Sequence, residues 1–343
     1  MQAFIENMPK AELHVHLEGT LEPELSFALA RKNNVELGYE TPEELVAAYD
    51  FYDLPSFLKI YYGAMKVLQD EQDFYQLTWD YLSKARSQNT LYAELFFDPQ
   101  AHTSRGVDFG VVIKGIHAAQ LDAEAKLGIK SQLIMCFLRD MSAESAMEHL
   151  LMAEPYLDWL VGVGLDSDEK NNPPAKFAEV FKKAREMGLK LTMHCDVNQQ
   201  NTLVHIGQCL DEIVVDRIDH GVNSLESEEL CEAIKAKGLG LTVCPVSNRF
   251  VVQSLTSKEI RTMLDKGMLA TINSDDPAYF RAYLNENLLE LQREGDFTLE
   301  EITTLVGNAF RVAWLPETEK ASYLAALEAY VKSNSLPEGQ SLQ

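Results

Sequence analysis

Eight short β-rich runs punctuate the chain and helical patterns fill the gaps between them, an alternation that restricts the fold more than any other feature. The runs are ELHVHL (12–17), LYAELFF (91–97), SQLIMCFL (131–138), WLVGVGL (159–165), LKLTMHC (189–195), RIDHG (217–221), GLTVCP (240–245) and LATINSD (269–275). The later ones are separated by PPAKFAEVFKKAREMG (173–188), SEELCEAIKAKG (227–238) and TSKEIRTMLDKG (256–267), each with apolar residues at helical spacing and a closing glycine. Strands alternating with helices predict a parallel sheet, and near-continuous apolar strands suit a sheet buried on both faces. Eight units predict an α/β fold of the (β/α)8 TIM-barrel type rather than an open sheet.

No Pro- or Gly-rich linker divides the chain, so residues 1–343 are expected to form a single domain. The segment from about 21 to 88, which includes LPSFLKIYYGAMKVLQDEQDFYQLTWDYLSKARSQ (54–88), predicts a helical insertion after the first strand. From FTLEEITTLVGNAFRVAWL onward the pattern predicts extra C-terminal helices.

Charge narrows the partners. Lys and Arg total 30 against 53 Asp and Glu, a formal net charge of -23, so the mean field repels nucleic acid and anionic membrane. A small neutral or cationic substrate fits better, and the oligomeric state is left open. The five cysteines are scattered without a CxxC pair, which argues against a disulfide frame and for a reducing, cytoplasmic location. No basic segment followed by an apolar core opens the chain, and no run approaches the ~20 apolar residues that cross a bilayer.

In a barrel, chemistry sits at the C-terminal ends of the strands, so polar residues there are the informative ones. The first run carries His14 and His16, whose spacing of two places both side chains on one face of a strand. The fifth ends at His194, the sixth at His220, and the eighth at Asp275 and Asp276. Three imidazoles and a carboxylate make a site suited to one Zn²⁺ per chain, with Fe²⁺ or Mn²⁺ as alternatives, and an open position for water. The fourth strand-end histidine, His220, is assigned as base and partner to that water, which implies metal-assisted hydrolysis. His102, His117, His149 and His205 lie in loops or helices, with His102 the best placed of them for a role. Cys195 is turned by strand alternation away from the face of His194.

With these residues in place, the sequence resembles the adenosine and adenine deaminase family of the amidohydrolase superfamily over essentially its whole length. The motifs that carry the resemblance are PKAELHVHLEG (9–19), the MHC closing the fifth run, RIDHG (217–221), TVCPVSN (242–248) and NSDDPAYF (273–280). LEGTLEPELSFALA and AELFFDPQAHTSRG make it most similar to the adenine, or free-base, branch. The resemblance implies zinc bound by His14, His16, His194 and Asp275, water oriented by His220, and Asp276 hydrogen-bonded to N7 of a purine. It also implies a ring pocket lined by Gly19 and the GLDSDE loop, with Ser167 near the base edge, and hydrolytic loss of the amine from C6.

One departure stands out. The family places a glutamate, the proton donor to N1, three residues after the fifth-strand histidine in an HAGEE motif, whereas this chain reads HCDVNQ with Val197 at that position. Asp196 is the expected stand-in, with a carboxylate that fixes a metal-ligating histidine as the alternative role and Glu169 in reserve. A displaced, shorter donor points to N6-substituted adenines beside adenine as substrates. Adenosine as the substrate, or purine binding without turnover, are the competing expectations.

Overall fold

A computed structural model describes residues 1–334 of the chain, so residues 335–343 of the expected domain lie outside the described residues. Its eight strands are β1 (Lys10–His16), β2 (Thr90–Phe97), β3 (Lys130–Leu138), β4 (Leu160–Asp166), β5 (Lys190–Cys195), β6 (Arg217–His220), β7 (Gly240–Val243) and β8 (Leu269–Ile272). They follow one another around the sheet in chain order, each parallel to the next. Every residue of β1, β6 and β7 is buried, as expected for strands covered by helices on one side and by the barrel interior on the other.

The ring closes between β8 and β1 largely through side chains. Among the described residues one isolated backbone bridge, Val15 with Asp275 just past β8, ties this edge to β1. Around it the Leu13 amide donates to Asn273 Oδ1 (2.9 Å) and the Ser274 amide donates to Glu12 Oε1 (2.9 Å). The Asp275 amide then donates to His14 O (3.1 Å) and the His16 amide to Asp275 O (2.9 Å), which locks Asp275 between the two histidines of β1. This explains why LATINSD, expected to be strand throughout, is regular only to Ile272. The Asn273 and Glu12 side chains and the Asp275 backbone take the place of a ladder, and Asp275 itself adopts φ 64°.

The expected helical insertion after β1 is present and is broken in several places. It runs through Pro23–Asn33, Pro42–Ala47, Leu54–Ala64 and Glu71–Ser87. The last of these packs along Phe109–Leu127 as part of the outer helical ring, so only the earlier helices are additions to the barrel. Asp53 and Asp70 start the third and fourth helices with capping boxes, and the new start at Asp70 is why the pattern over 54–88 is not one rod. Leu299–Val312 and Glu317–Asn334 supply the expected C-terminal helices. Among the described residues no helix is long and apolar enough to cross a membrane.

Candidate metal centre and active site

The four residues expected to bind metal come together: ligand atoms of His14, His16, His194 and Asp275 all lie within 4.8 Å of one another, and all four side chains are buried. Asp275 Oδ1 is 3.0 Å from His14 Nε2 and 3.4 Å from His16 Nε2, and His16 Nε2 is 3.0 Å from His194 Nε2.

The outer nitrogens of the rings show which atoms are free to bind. Thr242 Oγ1 donates to Asp219 Oδ1 (2.9 Å), so it accepts from the Nδ1–H of His14, also at 2.9 Å. His16 Nδ1 faces Asp166 Oδ2 at 3.4 Å, and His194 Nδ1 faces Asp219 Oδ2 at 3.5 Å. With the Nδ1 proton of His14 held by Thr242 and the other two Nδ1 atoms turned toward carboxylates, three Nε2 lone pairs and a carboxylate oxygen converge on one point. Lone pairs crowded this way in a buried site repel unless a cation sits among them, and carboxylates behind ligand imidazoles are the usual support of metal-binding histidines. Ser247 Oγ donates to Asp275 Oδ2 (2.6 Å), which leaves Oδ1 to face the cluster. The residues therefore fit a metal ion.

His220 ends β6 beside this cluster, its ring centroid 4.7 Å from that of His14 and 5.3 Å from that of His194. Its Nε2 lies 3.2 Å from Asp196 Oδ1. Burial opposes a charge on His220, but Asp196, with Asp275 and Asp219, outweighs it and raises the imidazole pKa. His220, Asp275 and Ser167 all have left-handed backbones, with φ of 58°, 64° and 72°. For residues other than glycine this conformation costs about 1–2 kcal/mol each, and such strain concentrates where side chains are aimed for a task.

The cavity above the cluster is lined by Ser167, Asp196, His220, Asp275 and Asp276 among its polar residues, and by Phe57, Tyr61 and Phe280 among its aromatics. Asp196 lies just past the end of β5 and reaches the cavity, where it meets His220 and no metal-cluster histidine. The Ser167 hydroxyl accepts from Tyr62 (2.9 Å). Burial, with the Asp275 carboxylate beside it, pushes the Asp276 carboxyl well up.

Gly19 is placed differently from expectation. It is not among the cavity-lining residues; instead it backs Asp276, where an added Cβ would fall 2.1 Å from Oδ1 and 2.7 Å from the Cα of that residue. Glycine is required because two backbones meet there. Glu169, the reserve donor, is also committed elsewhere: its Oε1 pairs with His205 Nδ1 (2.7 Å) and its Oε2 accepts the Asp196 amide (2.8 Å). It fixes the turn that presents Asp196. His102 is buried against Glu18 (2.8 Å) and outside the cavity lining, and Cys195 packs toward Cys209, as strand alternation required.

Asp98, Asp219, Thr242 and Ser247 are site residues that no motif singled out, and Asp166 was expected only as part of the GLDSDE loop. A search confined to strand-end histidines and carboxylates passes over Asp219 and Thr242 because both lie within strand bodies. Their signal was a charged or polar side chain inside an apolar strand that the fold buries completely.

The geometry has close relatives. A model of the adenosine deaminase family matches residues 9–330. The chain belongs to the adenosine deaminase family. An uncharacterised deaminase of Schizosaccharomyces pombe is 48% identical over 334 residues, covering 97% of this chain and 98% of the relative. An adenine deaminase of Psychrobacter cryohalolentis is 46% identical over 330 residues, 96% of this chain and 99% of the relative. The crystal structure of an adenine deaminase from Arthrobacter aurescens superposes with a TM-score of 0.92 at 41% identity, covering 95% of this chain and 99% of that one. Membership in the adenosine deaminase family makes this chain a hydrolase of C–N bonds built on a (β/α)8 barrel; the strand count led one to expect the barrel, and the resemblance the reaction.

Proposed function

We propose that the protein, as a single domain over residues 1–343, hydrolyses the exocyclic amine from C6 of a free purine base, adenine or an N6-substituted adenine, in the cytoplasm. Water is consumed, and hypoxanthine is released with ammonia or the corresponding amine. The observation that carries this reading is the convergence of three Nε2 atoms and Asp275 Oδ1 at the floor of a cavity that also holds His220 and Asp196. The adenine deaminase names of the curated relatives support the free base over the nucleoside.

His14, His16, His194 and Asp275 would hold one Zn²⁺, with Fe²⁺ or Mn²⁺ as alternatives, and that ion supplies Lewis-acid activation of water at neutral pH. His220 is the general base: it stands at the rim of the cluster and takes the proton of the attacking water. Asp196 has two tasks within reach, holding His220 through Oδ1 and passing a proton toward N1 of the ring. Asp276 hydrogen-bonds the ring at N7, and Ser167 bounds the base edge. Phe57, Tyr61 and Phe280 enclose the ring and keep bulk water out, which strengthens every polar interaction within.

The N6-substituted substrates draw on the apolar wall. Val197 stands where the family places its glutamate, and with Leu54, Leu58 and Val251 it gives the cavity a hydrophobic side able to take an alkyl group.

Zinc-loaded protein incubated with adenine, adenosine and a series of N6-alkyladenines, followed by ultraviolet absorbance, tests the proposal. Conversion of a free base to hypoxanthine is expected, with adenosine far slower. Saturable purine binding with unchanged absorbance throughout would make the protein a purine-binding metalloprotein and refute the reading.

A further inference from the structure

The cavity holds a second group of carboxyls that the reaction as drawn does not use. Asp98 follows β2 and Asp166 ends β4; both line the cavity although they are only 1% and 3% exposed. Oδ1 of Asp98 and both oxygens of Asp166 have no hydrogen-bond partner. The two residues differ in what they face. Asp166 has the imidazole of His16, Nδ1 at 3.4 Å, and so supports a cluster histidine. Asp98 has Asp166, Glu18 and Asp276 as its charged surroundings and a His16 nitrogen within 4.8 Å, but among the described residues no N–H donates to its Oδ1; its amide is tied to Glu18 Oε1 at 3.0 Å. A buried carboxyl oxygen left without a donor is costly, so its retention at the wall of a cavity calls for a ligand that brings an N–H.

Topology says which part of a ligand that is. In a ring of eight strands in chain order, β2 stands across from β6, which carries His220. A purine with C6 beside His220 and N7 beside Asp276 directs its N9 edge away from His220, toward the β2 side where Asp98 lies. A free base carries a hydrogen on N9, whereas a nucleoside carries carbon.

We infer that the Asp98 carboxyl accepts the N9–H of a free purine base and is the residue that discriminates bases from N9-substituted purines. This inference rests on the function proposed above. Either protonation state of a carboxyl leaves an oxygen to accept that hydrogen, and a methyl or ribosyl group in its place puts carbon against an oxygen that then has neither water nor donor. Selectivity built on an unpaired buried polar group is stronger than selectivity by shape alone.

The test compares wild type, Asp98→Asn and Asp98→Ala on the fastest free-base substrate and its 9-methyl derivative, with metal content measured on each protein. Wild type is expected to favour the unsubstituted base by on the order of 100-fold in kcat/KM. In Asp98→Ala that preference falls by about 10-fold or more, chiefly through a raised KM for the unsubstituted base. Asp98→Asn, whose amide oxygen still accepts, keeps most of the preference; this variant and the wild-type comparison remain decisive if the alanine variant does not fold. Three results overturn the inference: a wild type indifferent to 9-methylation, an alanine variant impaired equally on both substrates, or an alanine variant that binds one metal ion fewer than wild type. The last would assign Asp98 to a cation held with Asp166 and His16, whose donor atoms also lie within 4.8 Å of one another. Absence of turnover by wild type on every purine is a separate result; it removes the parent reading and this inference with it.

Discussion

Asp219 is not among the residues lining the cavity and yet stands behind two of the four metal-cluster residues, so its replacement by alanine is the sharpest test of how the centre is built. Its Oδ1 accepts from Thr242 Oγ1, which in turn holds Nδ1 of His14, and its Oδ2 faces Nδ1 of His194 at 3.5 Å. The side chain is fully buried, so water does not replace the lost oxygens without rearrangement. Removing it releases the tautomer and the ring angle of His194 directly and of His14 through Thr242. Loss of such a supporting carboxylate lowers metal affinity by about 10- to 100-fold, or about 1.4 to 2.7 kcal/mol. Competition with a chromogenic chelator for Zn²⁺ measures it, with circular dichroism of the metal-free protein as the control for folding. Asp219→Asn, which retains one acceptor for Thr242, should fall between wild type and alanine. If Asp219→Ala folds and holds zinc within about twofold of wild type, the supporting role argued from these distances is wrong.

Two further outcomes follow from particular contacts. Asp196→Asn should bind added Zn²⁺ as wild type does and lose turnover by about 10²-fold or more, because its carboxylate meets His220 and no cluster histidine. Zinc content measured alongside kcat decides this: full activity would remove Asp196 from proton transfer, and lost zinc would return it to the metal shell. At the barrel floor Lys10 donates to the carbonyls of Ile5 (3.0 Å), Glu6 (3.1 Å) and Met8 (2.6 Å), and burial lowers its pKa from 10.5 to about 7 despite Glu6 nearby. The unfolded chain therefore binds a proton that the folded chain does not between those two values, so Lys10 makes stability rise with pH across that window, by up to about 1.4 kcal/mol per pH unit. The unfolding free energy of wild type minus that of Lys10→Met should climb from pH 7 to 10, and a flat difference would refute the assignment.

The residues nearest the chemistry could be found without coordinates because the barrel imposes a simple rule, polar side chains at strand ends, and His14, His16, His194, His220, Asp275 and Asp276 obey it. The helical period over 54–88 is equally readable, but its interruption is not. Asp70 looks like any polar residue until its side chain is seen capping the helix it begins. Gly19 was expected in the ring pocket, and the structure gives it a different task, backing Asp276 from a segment remote in sequence.

What the sequence determined by itself is local and periodic: eight apolar strands, the helices between them, and the types of residue that face one rim. A period of two or of 3.6 residues is written in neighbouring positions and needs no partner to be read. The tertiary structure alone decided which atoms face which. That Thr242 and Asp219 set the tautomer of His14, that Asp196 meets His220, that Glu169 is spent on His205, and that Asp98 is left without a donor at the cavity wall all depend on contacts between strands far apart in the chain. Burial is the physical reason these contacts matter: a carboxyl in water has no required partner, and the same carboxyl enclosed by the barrel must find one.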